Sequence, residues 1–435
     1  MLDKFLQKVK TKGLFSTDSN LLVAASGGID SMTLCHLLRE GGFKFSVAHC
    51  NFKLRGAESK QDEKLVMEWC GFKSIPFYSK SFQTKRHAKN HGVSIQMAAR
   101  FLRYQWFNDL AKAMDFQFIL TAHNLDDSLE TSLFNFTKGT GLRGLIGIPE
   151  VKNNLVRPLL TFSRREIQKF ATENKVRWRE DASNSDSKYQ RNRLRHRVIP
   201  ELKPINPSLL STYKNSKVRL AESHSYLMRV ISKKFEPFLS QSGQDIFIKT
   251  LELTSVVELE FLLYPYHFRY NQLNAILEAC LSGGSGKLFF SASHQLNIDR
   301  DQIIISPVTG DFYESVIHSE DEEFIHEFYK LKMSVRPASE GVLFTSKSAS
   351  LDFDKLSFPL KFRKWHTGDV FYPLGMKGKK KVSDYMIDCK IPLNLKERVG
   401  VLESDGAIVW IVGHRIDDRF KVTDQTKRIY QVELK

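Results

Sequence analysis

Residues 26–31 read Ser26-Gly27-Gly28-Ile29-Asp30-Ser31, directly after an apolar run and directly before a stretch with helical spacing. Two glycines let the backbone come close to a phosphate, and a helix N-terminus offers unpaired amides with partial positive charge. Ser26 and Ser31 add hydroxyl donors, and Asp30 adds a carboxylate. The string has neither the GxxxxGK[ST] pattern with its lysine nor GxGxxG, so it is not a Walker loop or a dinucleotide fingerprint. A strand–turn–helix of small residues capped by Asp30 is the plain structural alternative. The whole string in this setting points to a phosphate site.

A second group of residues could bind a cation. Asp126, Asp127 and Glu130 fall three and four apart, which makes them neighbours on one helix face, while Leu125, Leu129, Leu133 and Phe136 form an apolar stripe. Acids near a helix N-terminus are favoured by its dipole, so a solvated acidic face is the alternative to a cation pocket. His123 follows a strand-like run, where it could contact a nucleotide, orient a carboxylate, or serve as a hydrogen-bonded structural histidine. Arg100 and Arg103 differ by three on a helical pattern and could reach phosphate or carboxylate; surface ion pairing is the other reading. Between 163 and 200, eleven Lys and Arg face five acids, with Arg191, Arg193, Arg195 and Arg197 alternating. Their mixture with Trp178, Tyr189 and Asn suits phosphate and base contact better than a merely solvated face. Lys377, Lys379, Lys380 and Lys381, beside Phe371 and Tyr372, repeat that composition later in the chain.

These groups must be positioned by a scaffold, and the first third supplies one. Runs 21–25, 45–49, 75–79 and 116–121 are short and β-rich; helical patterns at 31–40, 58–70, 94–114 and 125–136 alternate with them. Such alternation implies α/β architecture, with a parallel, doubly wound sheet that takes its ligand at the strands' carboxyl ends. The expected organisation is a first domain over 1–210, a helical connector over 211–240, a smaller α+β domain over 241–330, and a strand-rich domain over 331–435. Residues 270–281 read as helix, 287–291 and 302–306 as strands. The acidic stretch 314–327 reads as a boundary helix or linker.

Composition narrows the function classes. Lys and Arg total 65 against 49 Asp and Glu, a formal charge of +16 that favours a polyanionic partner. Hydrophobic residues at 42% allow packed domains. The five cysteines Cys35, Cys50, Cys70, Cys280 and Cys389 form no CxxC pair, so neither a zinc ribbon nor a cysteine-held cluster is suggested. Residues 1–15 carry lysines among apolar positions at helical spacing, an amphipathic helix rather than a signal peptide. With no long apolar run, the expectation is a soluble cytoplasmic protein with no membrane partner.

The Ser26–Ser31 string resembles the phosphate loop of the PP-loop ATP pyrophosphatases. Further strings are similar to the tRNA(Ile)-lysidine synthase family within them. These are 49–56 (HCNFKLRG), 98–104 (AARFLRY), 122–131 (AHNLDDSLET), 139–142 (GTGL), 157–160 (RPLL), 181–184 (DASN), 191–195 (RNRLR) and 375–384 (GMKGKKKVSD), in that order over nearly the whole chain. Phe52, Gln96 and Asn124 stand where members often carry His, Glu and His, so the resemblance gives them no metal or proton-transfer role. The resemblance implies ATP bound by Ser26, Gly27, Gly28, Ile29, Asp30, Ser31 and His123, with Asp30 facing Mg2+ and, with Asp127, taking part in the chemistry. It implies free L-lysine held by Asp127 and Glu130. It also implies a tRNA(Ile) with CAU anticodon gripped by Arg191, Arg193, Arg195, Lys377, Lys379 and Lys380. A PP-loop tRNA thiolase is the alternative enzyme, but it would want a persulfide or cluster cysteine. A non-catalytic tRNA-binding protein is the alternative outside enzymes.

Overall fold

The computed structural model describes residues 1–54, 56–180, 190–308, 312–342 and 347–435. The segment 181–184 and the side chain of Arg191, both singled out above, lie outside the described residues. The chain divides into two compact units, Met1–Leu227 and Met228–Lys435.

The first unit is built on strands β1 (Leu21–Ala24), β2 (Phe45–Asn51), β3 (Phe77–Ser81), β4 (Phe118–Leu120), β5 (Val151–Lys152) and β6 (Leu155–Val156). Their order is β3-β2-β1-β4-β6-β5; only β5 runs antiparallel, at the edge. In β1 successive side chains enter opposite cores. Leu21 and Val23 meet α1 (Leu2–Lys12), α2 (Ile29–Glu40), α3 (Ala57–Phe72) and a later helix α7 (Arg164–Glu173), while Leu22 meets α5 (Ile95–Ala113). This is the two-faced burial that a parallel sheet requires. A short helix α4 (Thr84–Asn90), absent from the sequence reading, precedes α5. Loops after β1, β2 and β4 all leave from the carboxyl edge of the sheet.

Helix α6 (Leu125–Thr137) follows β4 and is fixed from behind. Leu125 and Leu129 pack with Ile199 and Tyr213, Leu133 borders them, and Phe136, read as part of the stripe, is exposed. Tyr213 lies on α8 (Leu209–Phe235), a 27-residue helix; the division between the units falls inside it. The Tyr213 hydroxyl donates to the Ser128 carbonyl at 2.9 Å, and Lys217 Nζ donates to Ser128 Oγ and to the Ile148 carbonyl, each at 2.8 Å. Burial pulls the Lys217 ammonium down to about 8, against the attraction of Glu150.

Gly147 is the close-approach residue of this seat. It has φ +76°, and a Cβ there would lie 2.6 Å from both the Ser128 carbonyl oxygen and the Tyr213 hydroxyl. Gly147→Ala is therefore expected to cost about 2–4 kcal/mol, from left-handed strain plus a forced shift of α6 or α8. Chemical denaturation should show the loss. An unchanged midpoint would mean that Tyr213 is not seated on α6.

In the second unit, a five-stranded antiparallel sheet takes the order 239–242, 245–249, 302–307, 294–299, 287–290, covered by helices Val256–Leu263 and Tyr270–Leu281. Two four-stranded sheets follow, sharing a core of Phe362, Trp410 and Tyr430. The acidic stretch 314–327 is neither helix nor linker. It forms strands Ser315–Ile317 and Glu323–Ile325, because Ile317 and Phe324 pack on the Phe362 core while the acids remain mostly exposed. Among the described residues, no helix is long and apolar enough to cross a membrane.

Candidate active site

The loop between β1 and α2 is closed by its own serines. The Ser26 amide donates to Ser31 Oγ at 3.2 Å, Ser31 Oγ donates to the Gly28 carbonyl at 2.9 Å, and the Gly28 amide donates to Ser26 Oγ at 3.3 Å. Gly27 takes φ +88°, and a Cβ there would reach 3.4 Å from the Asp62 carbonyl oxygen. The positive φ is what restricts the position to glycine, since the Asp62 contact is of ordinary van der Waals length. The Gly27 carbonyl accepts from the Arg179 amide at 3.0 Å, and Arg179 Nε donates to Asp62 at 2.9 Å, so the chain beyond α7 braces the loop. Gly28 caps α2 without a side chain in the way, and Asp30 stands in the first helical turn.

The acids of α6 approach the same place. Asn124 caps this helix: its Oδ1 accepts from the Asp127 amide, and Asp127 Oδ2 accepts from the Asn124 amide, both at 3.0 Å. Asn124 Nδ2 donates to Asp30 Oδ1 at 3.1 Å, which ties the acidic helix to the phosphate loop. The other Asp30 oxygen pairs with Arg164, whose backbone amide donates to Asp126 at 2.8 Å. Burial pushes the Asp30 carboxyl up to about 6; Arg164 opposes this, and neighbouring Asp127 adds to it. Glu130 is buried and takes Arg195 in a two-pronged contact, Nε at 2.5 Å and NH2 at 3.0 Å; the same guanidinium lies 3.1 Å from Asp127 Oδ1.

Two cavities meet over these residues, sharing Ser26, Asp30, Arg103, His123 and Asp127 as walls. The smaller, about 220 Å³, runs between β1, β2 and α5 and is completed by Ala48, Cys50, Phe52, Tyr104 and Phe107. The larger, about 950 Å³, extends over Asp126, Glu130, Arg164, Trp178, Arg195 and Lys203. His123 stands at their junction with Nδ1 3.0 Å from Thr121 Oγ1, and burial lowers it to about 4 despite Asp127. It is therefore a neutral imidazole near pH 7. The small cavity is aromatic and apolar on one side, as a nucleoside base requires, and it opens on the phosphate loop. The large one combines acids with arginines.

Comparison with known proteins gives matches along most of the chain. A PP-loop domain model matches residues 1–202, a TilS substrate binding domain 241–308, and a TilS substrate C-terminal domain 360–433. The tRNA(Ile)-lysidine synthase of Parabacteroides distasonis is 35% identical over 434 residues, covering 97% of each chain. That of Bacteroides thetaiotaomicron is 34% identical over 429 residues, covering 98% of each. The chain belongs to the tRNA(Ile)-lysidine synthase family. Its first unit thus carries the ATP-utilising PP-loop domain of that family on the sheet described above.

Within this lysidine synthase family member, Ser26, Gly28, Ile29, Asp30, His123, Asp127 and Glu130 line the larger cavity together, with Ser31 facing the smaller one. The arginines separate. Arg193 is exposed, whereas the Arg195 guanidinium is committed to Glu130 and Asp127. Lys377 and Lys379 are exposed and Lys380 pairs with Asp388. Phe371 is buried in the core with Tyr385 and cannot stack on a ligand; Tyr372 lies under the Arg419 guanidinium at 4.6 Å. Sequence reasoning missed Arg164 and the capping role of Asn124. The second had a local signal, an Asn three residues before an Asp at a helix start. The first had none, since Arg164 meets Asp30 across 134 residues.

Proposed function

We propose that this enzyme joins free L-lysine to C2 of the wobble cytidine of a tRNA(Ile) with anticodon CAU, as an ATP-dependent ligase forming a carbon–nitrogen bond. One observation carries the reading: the phosphate loop and the Asp127/Glu130 pair line a single cavity, tied by the Asn124–Asp30 hydrogen bond. In the first step, cytidine O2 attacks the α-phosphate of ATP and pyrophosphate leaves. The amides of Gly27–Ser31 and the Ser26 and Ser31 hydroxyls offset the charge on that leaving group. In the second, the lysine ε-amine attacks C2, the C2–O bond breaks, AMP departs, and the amine's proton is lost. Asp127 and Glu130 hold the ammonium before it is deprotonated, and Asp127, common to both cavities, reaches the nucleotide side as well.

Asp30 would hold a magnesium ion, which supplies charge neutralisation for the pyrophosphate. The residues fit such an ion. Among the described residues no three metal-ligating groups cluster, and magnesium needs only one or two carboxylates when phosphates and waters complete its shell. A carboxyl whose ionisation is resisted by burial gains from a cation beside it. Arg193, Arg191, Lys377, Lys379 and Lys380 are proposed as tRNA backbone contacts, with 241–330 and 331–435 as the tRNA-binding domains.

The thiolase reading finds no activated cysteine among the described residues that line the two cavities. Cys50 lines the smaller cavity, but burial pushes its thiol up to about 12, and burial raises Cys35, Cys70 and Cys280 as well. The test is incorporation of radiolabelled lysine into unmodified tRNA(Ile) bearing CAU. Label that enters the tRNA only when ATP is supplied is expected, with one AMP formed per lysine. Folded, tRNA-binding protein that incorporates none, or that adds sulfur instead, would overturn the proposal.

A further inference from the structure

The acid pair assigned to the substrate's ammonium is not open. Arg195 places Nε and NH2 on the two Glu130 oxygens and NH2 on Asp127 Oδ1, while Asp127 Oδ2 is spent on the Asn124 amide that caps α6. The Glu130 side chain is only 6% exposed. A carboxylate so far out of water needs a cation at all times, because an unpaired buried charge is strongly unfavourable. A planar guanidinium fork is the side chain best shaped to supply it. A second full cation cannot take the same oxygens while the fork is seated.

Arg195 is also placed so that it can leave. Its side chain is 33% exposed, reaching the buried acid from the solvent side, and it stands on a π-helical turn, Leu194–Val198. Such turns leave the backbone hydrogen-bond ladder locally offset and frequently occur at functional sites. Released from the acids, a guanidinium remains well solvated, whereas Glu130 without any cation does not. The seated state is thus one in which the protein satisfies the acid with a cation of its own.

We propose that Arg195 is an internal stand-in for the substrate's ammonium: it occupies the Glu130/Asp127 pair until free lysine displaces it, and so sets the apparent affinity for the amino acid. This rests on the assignment of lysine to that pair made above. Competition of this kind reduces apparent affinity by the fraction of molecules in which the pair is open. If the fork is seated in about nine molecules of ten or more, its removal tightens lysine binding about tenfold or more.

Equilibrium dialysis of radiolabelled L-lysine against the full-length protein, without ATP or tRNA, reads the effect directly. Arg195→Gln is expected to bind lysine at least about tenfold more tightly than wild type. Arg195→Lys, which keeps the charge but loses the fork, should fall between the two and serves if the Gln variant does not fold. Glu130→Gln should abolish binding in either background. Structural damage at the site would weaken binding, so tightening separates competition from misfolding. Equal or weaker binding by the Arg195 variants, with Glu130 still required, would overturn the stand-in role and leave the lysine assignment intact. Lysine binding that ignores Glu130 in every background would remove the assignment and the stand-in role together.

Discussion

Asp30→Asn is expected to give a protein that is more stable than wild type and nearly inactive. Burial moves this carboxyl from an ordinary 3.8 to about 6, a shift of about two units, which corresponds to about 3 kcal/mol held against its ionised form at neutral pH. Asparagine removes that cost and can still accept from Asn124. What is lost is the partner of Arg164, a side chain 45% exposed that water can solvate, worth at most about 1 kcal/mol. The balance favours the variant by about 2–3 kcal/mol, or roughly 4–12 °C in melting temperature. Loss of the carboxylate from the phosphate loop should lower lysine incorporation by about 10³-fold or more, the scale of removing a preorganised charge from a phosphoryl-transfer site. Destabilisation, or activity within tenfold of wild type, would contradict the assignment.

The pH dependence of that stability difference has a definite sign. Because the folded pKa of Asp30 is raised, the folded protein binds more protons than the unfolded chain between about 4 and 6, and this residue's contribution falls as pH rises through that window. His123 acts oppositely. Its folded value near 4 lies below the ordinary 6.5, so its contribution is present above 6.5 and is lost as pH falls toward 4. The two partly cancel in wild type. Subtracting the wild-type curve from the Asp30→Asn curve isolates Asp30, with the difference vanishing near pH 4 and reaching its full size above pH 6.

What was legible in the sequence was what is local. The Ser26–Ser31 loop could be read because its glycines, hydroxyls and flanking apolar runs all lie within a dozen residues, and chain order alone placed it at a strand's carboxyl end. Helix α6 was legible for the same reason, apart from Phe136, whose place on the stripe says nothing of whether a partner covers it. The residues that neutralise the acids were not legible. Arg195 meets Glu130 across 65 residues and Arg164 meets Asp30 across 134; composition registers both only as members of a basic run. A run of arginines on paper is a polyanion surface, but in the fold Arg164, Arg179 and Arg195 each pair with an acid. The strands at 315–325 failed for a related reason, since acid-rich composition hid the alternate Ile317 and Phe324 that the core selects.

Glu130→Gln should separate the two half-reactions. Glu130 lines the larger cavity and not the smaller, whereas Asp127 lines both and also caps α6. A neutral amide at 130 leaves the phosphate loop, Asp30 and the helix cap untouched, so pyrophosphate release that requires tRNA and ATP should stay within about threefold of wild type. Lysine transfer should fall by about 10²–10³-fold, because a desolvated ammonium loses its charged partner and charge pairs of this kind contribute several kcal/mol. The cost to the fold is small by comparison. Arg195 loses part of its fork but keeps Asp127 and is one-third exposed, so the released guanidinium is hydrated instead of stranded. Adenylated tRNA should therefore accumulate, a product that neither a misfolded enzyme nor one defective in ATP binding can make. Asp127→Asn supplies the contrast: it touches the cap and both cavities and should depress the two half-reactions together. Should Glu130→Gln instead depress both equally, the acid belongs to the nucleotide site, and the ammonium of the amino acid must be held by other groups of the larger cavity, Asp126 first among them.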